Sequence, residues 1–166
     1  MPTMTHRLWR HLVTDRGAVN RAFSADDLRR IETAIADGER RHAGQLCVAI
    51  EAALPLACVW QRVSPRERAL EVFGLLRVWD TEHNDGVLLY LLLADKDVEI
   101  VADRGIHARV GAAAWESICK SMEAAFRAGQ YAEGVEAGIA AITGLLAVHA
   151  PGAGGRNELS DRPVIL

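Results

Sequence analysis

The chain has 166 residues, a mass of 18.1 kDa and a formal net charge of −3, with 25% charged and 50% hydrophobic residues. This composition fits one folded domain, and its interleaved charges offer no basic surface that would bind nucleic acid. No apolar run reaches the roughly 20 residues that cross a bilayer, and the N-terminus lacks the apolar core of a signal peptide, so we expect a cytoplasmic protein without a transmembrane segment. The three cysteines form no C-x-x-C pair, which predicts reduced thiols rather than a disulfide framework.

Residues 1–22 are predicted to form an N-terminal arm. Basic and apolar residues are interleaved in it, as in a short amphipathic helix: Arg7, Arg10, His11 and Arg16 beside Leu8, Trp9, Leu12 and Val13. Such a helix could rest on anionic lipid. Peripheral contact with the inner face of a membrane is therefore an alternative to a wholly cytoplasmic location.

A single α/β domain is predicted over residues 23–149. Ser24 and Asp27 resemble a capping box at the start of its first helix, and the apolar run QLCVAIEAAL (45–54) is typical of a strand covered on both faces. Ser64, followed by a proline, marks the start of a second helix.

Two further strands follow an acidic loop at 80–85. The runs VLLYLLLA (87–94) and VEIVAD (98–103) are joined by only three residues, a connection so short that the two strands must be antiparallel. Apolar residues at helical spacing over 115–126 and again over 135–146 predict two closing helices. The last residues, 150–166, are rich in glycine and proline and are predicted to be a flexible tail.

This order of elements predicts a small α/β sandwich with a mixed sheet. The first two strands and the helix between them make a right-handed βαβ unit, so they are parallel, and the hairpin strand is antiparallel to them. The loop 80–85, the turn 103–107 and the segment 42–45 should then meet at one edge of the sheet. We call the edge formed by residues 80–86 and 103–107 the rim.

The rim carries the candidate functional residues. Oxygen ligands suited to calcium or magnesium are offered by Asp80, Glu82, Asn84, Asp85 and Asp103. His83 and His107 with Asp85 could instead form a site for a zinc-like ion. The alternative is a solvated acidic loop in which Asn84-Asp85-Gly86 makes a turn before a strand.

Three strings in the chain resemble the TPM domain family, which includes a thylakoid acid phosphatase and bacterial membrane-associated proteins. The strings are Asn84-Asp85-Gly86-Val87-Leu88-Leu89, Arg104-Gly105, and FRAGQYAEGV (126–135). The resemblance extends from about Phe23 to His149. It implies a Rossmann-like α/β/α sandwich, with acid phosphatase activity in the plastid member and divalent-metal binding in some bacterial members. Family members often have glycine and glutamate where this chain has Arg104 and His107.

Two functions follow as predictions. The leading one is a binding or assembly module with a weak site for a divalent cation (Ca, Mg or Zn) at the rim. It would act with a protein partner of unknown identity, and a membrane-associated partner is one alternative. Its cation ligands would be Asp80, Glu82, Asp85 and Asp103; the other rim residues are His83, Asn84, Arg104 and His107. The alternative is a metal-assisted acid phosphatase acting on phosphomonoesters, in which Arg104 holds the phosphate and His83 or His107 donates a proton.

Overall fold

A computed structural model describes residues 4–152 and 156–166. Its centre is a four-stranded mixed sheet with the order β3-β2-β1-β4. Strand β1 (Gln45–Glu51) is parallel to β2 (Gly86–Leu92), and β2 is antiparallel to β3 (Asp97–Ala102). The predicted βαβ unit and hairpin are therefore confirmed. A short strand, β4 (Val164–Ile165), adds to β1 in parallel.

Helices cover both faces of this sheet and make it the middle layer of an α/β/α sandwich. Within the described residues they are α1 (Met4–Val13), α2 (Gly17–Ala22), α3 (Ala25–Glu39), α4 (Leu56–Trp60), α5 (Pro65–Leu75), α6 (Arg104–Val110), α7 (Ala112–Arg127) and α8 (Tyr131–His149). On one face, alternate strand residues such as Val48 and Leu89 pack with α3, α7 and α8. On the other, Ala49 and Tyr90 pack with α4 and α5. Every residue of β1 and β2 is buried, as their unbroken apolar runs predict.

Both predicted helix starts are capped as expected. The Ser24 hydroxyl accepts a hydrogen bond from the Asp27 amide while the Asp27 carboxylate accepts one from the Ser24 amide. Ser64 and Glu67 form the same reciprocal pair at α5. Each pair satisfies amides that the first helical turn leaves without partners.

The predicted arm is mainly helical, and α1 lies against the domain. Asp95, in the β2–β3 hairpin, accepts hydrogen bonds from Arg7 Nε at 2.9 Å and Arg10 Nη2 at 2.6 Å. His11 Nε2 lies 3.2 Å from the same carboxylate. Three basic residues that could have faced lipid are thus used to hold α1 in place.

The last residues also take part in the fold. Residues 156–166 lie along β1, and the Leu166 amide donates a hydrogen bond to the Ile50 carbonyl. The glycines at 154 and 155, part of the composition that predicted a flexible tail, fall outside the described residues. Apolar Leu159, Val164 and Leu166, which follow them, pack on the face of the sheet that α5 covers.

The segment 103–107 was predicted to be a turn, and this is wrong. Asp103 is the N-cap of α6, and its carboxylate accepts a hydrogen bond from the Arg104 amide. Helix α6 has only 7 residues, too few for an apolar period to be recognised in the sequence.

Helix α8 departs from the expectation that no segment could cross a membrane. By length and composition alone it is the one helix among the described residues that could do so, with a mean hydropathy of 1.3. In the fold its buried residues, among them Ile139, Ile142 and Leu146, belong to the main hydrophobic core. Gly138 packs against Met122 of α7 so closely that a Cβ would overlap the sulfur atom.

Candidate acidic cleft at the sheet edge

Three chain segments meet at the rim. The Asp103 amide donates to the Gly86 carbonyl at 2.8 Å, and the Gln45 amide donates to the Asp85 carbonyl at 3.4 Å. These bonds join the start of β2 to the end of β3 and the start of β1. The parallel and antiparallel pairings that were predicted to bring the segments together do so.

The turn before β2 is tightly packed. Asn84 adopts a left-handed backbone with φ of 53°, a conformation that asparagine tolerates better than most residues. A Cβ on Gly86 would overlap the Val78 carbonyl oxygen. The Asn-Asp-Gly string therefore has a structural role, whatever else it does.

Beside this turn is a cleft of about 150 Å³. We call it the rim cleft, and its lining residues are Ala43, Gln45, Glu82, His83, Asp85, Arg156 and Glu158. Of the predicted rim residues, only Glu82, His83 and Asp85 line it.

The other predicted residues lie elsewhere. Asp80 is exposed and pairs with Arg77. Asp103 caps α6, and its second carboxylate oxygen is buried without a hydrogen-bond partner among the described residues. Although the backbones of Asp85 and Asp103 are close, the Asp103 side chain does not line the rim cleft.

The remaining three residues of the prediction, Asn84, Arg104 and His107, are exposed and also lie outside the rim cleft. His107 lines a different groove, between β3 and α7, together with Arg66 and Trp115. In the phosphatase alternative the rim acids hold the cation, and Arg104 holds the phosphate beside it. That pairing is not formed here, so hydrolysis stays a prediction from the family resemblance.

Glu39, which the sequence did not single out, is the most perturbed acid near the cleft. It ends α3, is 7% exposed, and accepts a hydrogen bond from the Leu46 amide at 2.9 Å. Burial raises its pKa from 4.5 to about 7, and the neighbouring carboxylates of Asp161 and Asp85 act in the same direction. Glu39 lies about one helical turn before the segment 42–45, which was predicted to reach the rim, and this position could have identified it as a residue near the site.

The C-terminal segment supplies the other missed residues. The Gln45 side-chain oxygen accepts hydrogen bonds from the amides of Glu158 at 2.8 Å and Leu159 at 3.2 Å. The Glu82 amide donates to Glu158 Oε2 at 3.1 Å. These bonds fix Glu158 at the cleft. The sequence could not predict these bonds, because the tail was expected to be flexible and the location of its acidic side chains was therefore undefined.

Asp85 lies at the bottom of this acidic region and is 3% exposed. Burial raises its pKa; the Thr81 hydroxyl and the charge of His83 act against the rise, and Glu158 acts with it. The cleft and its surroundings thus bring together Glu39, Glu82, Asp85, Glu158 and Asp161. Only Arg156 and His83 among the cleft-lining side chains can carry positive charge. The arrangement favours a cation.

The ligands for such a cation are not preassembled. Across residues 4–152 and 156–166, no three His, Cys, Asp or Glu side chains are placed so that together they could hold a metal ion. The side chains of Glu82 and Glu158 are both exposed. A bound ion would therefore need these side chains to close on Asp85.

The opposite edge of the sheet is built differently. Tyr90 donates to Glu51 Oε2 at 2.6 Å, and Arg68 donates to both oxygens of the same carboxylate at 2.9 Å. In open α/β sheets ligands commonly bind beyond the carboxyl ends of the strands. Here the polar groups at that edge bond to one another, which leaves the rim cleft as the stronger candidate.

Comparison with known proteins is consistent with this fold. A family model described as the TPM domain matches residues 19–145. The structure is similar to that of the BA42 protein from Bizionia argentinensis, with a TM-score of 0.75 and 24% identity over 87% of this chain and 95% of that one. It is also similar to the N-terminal domain of a protein from P. gingivalis, with a TM-score of 0.63 and 20% identity over 81% and 82%. No curated protein matches the chain.

Proposed function

Since the chain belongs to the TPM domain family, we propose that it is a binding module that takes a divalent cation in the rim cleft. The observation that carries this proposal is the pair of buried acids, Glu39 and Asp85, whose pKa values burial raises, next to a cleft lined by Glu82 and Glu158. Clustered carboxylates raise one another's pKa because ionising each costs energy against the others. A bound cation removes that cost.

The lining residues indicate which ion is favoured. Carboxylate oxygens of Glu82, Asp85 and Glu158 outnumber the single imidazole of His83, and oxygen-rich sites suit calcium and magnesium better than zinc. Because exposed side chains must become ordered on binding, we expect a dissociation constant on the order of 10⁻⁴ M or weaker.

A titration with matched variants tests the proposal. Thermal unfolding and calorimetry are run with Ca²⁺, Mg²⁺, Mn²⁺ and Zn²⁺ on the wild type, on Asp85→Asn and on Asp80→Asn. Asp80 is the control, because it is an acid of the same loop that pairs with Arg77 outside the cleft. We expect calcium or magnesium to raise the melting temperature of the wild type and of Asp80→Asn but not of Asp85→Asn.

Two results would remove the proposal: no response to any of the four ions, or an equal loss of response in both variants. The phosphatase prediction is checked on the same samples with p-nitrophenyl phosphate, with and without each ion. Hydrolysis that is present in the wild type and in Asp80→Asn but lost in Asp85→Asn would support phosphatase activity at the rim cleft.

A further inference from the structure

An exposed apolar surface lies at the other end of the molecule from the rim cleft, on α1 and α4. We call it the helical patch and define it as Trp9, Leu12, Val13, Leu56 and Trp60, which are 61%, 64%, 50%, 42% and 71% exposed. Large apolar side chains that are clustered and open to solvent are uncommon on a protein that acts alone in water.

The hydrogen bonds of α1 show how this helix lies against α4. The Leu54 amide donates to His11 Nδ1 at 3.0 Å, and Arg7 Nη2 donates to the Val63 carbonyl at 3.0 Å. Thus the end of α1 lies at the start of α4, the start of α1 lies beyond the end of α4, and the two helices run antiparallel.

The antiparallel alignment determines which apolar residues of α1 lie beside those of α4. Leu12 and Leu56 line one shared cleft. One turn further along the pair, Trp9 and Trp60 lie at the same level, since three residues of α1 and four of α4 each span about 5 Å. Trp9, Leu12, Leu56 and Trp60 therefore follow the helix pair, and Val13 lies at the edge of the patch, where it lines a second cleft with Ala18 and Tyr131.

An arginine lies at each end of this surface. Arg16 follows α1 and lines the cleft that Leu12 and Leu56 share, and Arg62 follows Trp60. Neither side chain forms an ion pair or hydrogen bond within the described part of the chain. The nearby acids differ in this respect, because Asp15 pairs with Arg21 and Asp95 is held by α1.

We propose that the helical patch is a docking surface for an anionic lipid bilayer. Tryptophan and leucine side chains on one face, with arginines at its ends, match the headgroup region, where aromatic rings sit among anionic lipids. A protein partner would need a complementary shape, and the patch is the outer face of two helices lying side by side. The local charge also favours anionic lipid, because Arg16 and Arg62 are available to headgroup phosphates, whereas the nearby carboxylates of Asp15 and Asp95 are paired with arginines. The proposal is independent of the cation site.

Vesicle flotation tests it. The full chain is mixed with phosphatidylcholine vesicles with and without one quarter phosphatidylglycerol, in 0.1 M NaCl with EDTA so that no cation bridges protein and lipid. The variants are Trp9→Ala with Trp60→Ala, Arg16→Gln with Arg62→Gln, and Trp79→Ala as the control. Trp79 is also exposed, at 49%, but lies beside the acidic loop with Arg77 over its ring.

We expect the wild type and the Trp79 variant to float with the anionic vesicles and not with neutral ones. The double tryptophan variant should bind at least tenfold more weakly. The double arginine variant should lose about fivefold for each arginine. All the substitutions are at exposed side chains, and circular dichroism is used to check that each variant is folded.

Absence of flotation by the wild type would overturn the proposal, as would an equal loss with Trp79→Ala. If the wild type does not float but forms a dimer that the double tryptophan variant does not form, then the occupant is a second copy and the lipid proposal is wrong.

Discussion

Replacing Glu39 by glutamine should make the protein more stable at pH 8. In the folded chain burial raises the pKa of this acid from 4.5 to about 7, whereas in the unfolded chain it titrates at its ordinary value. Between these two pKa values the folded state holds a proton that the unfolded state has lost, so the free energy of unfolding falls as the pH rises through this window.

The size of the effect follows from the two pKa values. Each pKa unit corresponds to about 1.4 kcal/mol, so ionised Glu39 costs roughly 3 kcal/mol of stability above pH 7. Glutamine keeps an oxygen for the Leu46 amide and carries no charge. The variant should therefore match the wild type near pH 4.5 and exceed it by up to about 3 kcal/mol at pH 8.

Denaturant unfolding at several pH values measures this difference. Glu32→Gln is the control, because Glu32 lies on the same helix and is exposed; it should change stability by less than about 0.5 kcal/mol at each pH. If the difference between Glu39→Gln and the wild type stays constant from pH 5 to pH 8, or if the variant is the less stable protein at pH 8, the reasoning about the buried acid fails.

Two further substitutions test how the fold is held together. Asp95→Asn should cost about 3 kcal/mol, because it leaves two arginines without their buried partner, and limited proteolysis should then cut α1, whereas resistance equal to the wild type would contradict this. Although burial acts to raise the pKa of Asp95, His11 and Arg7 lower it, so the wild-type advantage should persist at neutral pH and disappear only in acid. Tyr90→Phe should cost roughly 1.5–3 kcal/mol, because it removes a hydrogen bond to an ionised carboxylate. Tyr131→Phe, at a hydroxyl with no hydrogen bond in the described structure, should cost less than about 0.5 kcal/mol, and equal losses would contradict the assigned bond.

The central part of the fold could be predicted because its signals are local. The unbroken apolar runs at 45–54 and 87–94 identify buried strands, and the three-residue connection before 98–103 allows only a hairpin. Strand β4 has 2 residues, and its pairing depends on Leu166 reaching Ile50. No local pattern encodes that contact.

The rim cleft could be predicted only in part, for a related reason. Strand directions place Asp85 correctly. The position of Glu39 just before the segment 42–45 indicates that it is near the rim, but not that its carboxylate is buried. Asp103 and His107 were predicted as site residues on the assumption of a turn. The helix that begins at Arg104 uses Asp103 as its cap and carries His107 to a different groove.

Paramagnetic mapping with Mn²⁺ would locate the bound ion on the folded protein. In amide spectra of the labelled chain, substoichiometric Mn²⁺ should broaden residues 43–45, 82–86 and 156–159 first, and Asp85→Asn should remove this broadening. Broadening that is absent, or that is centred on Glu99 and Glu123 in the groove between β3 and α7, would show that the rim cleft is not where this protein binds a cation.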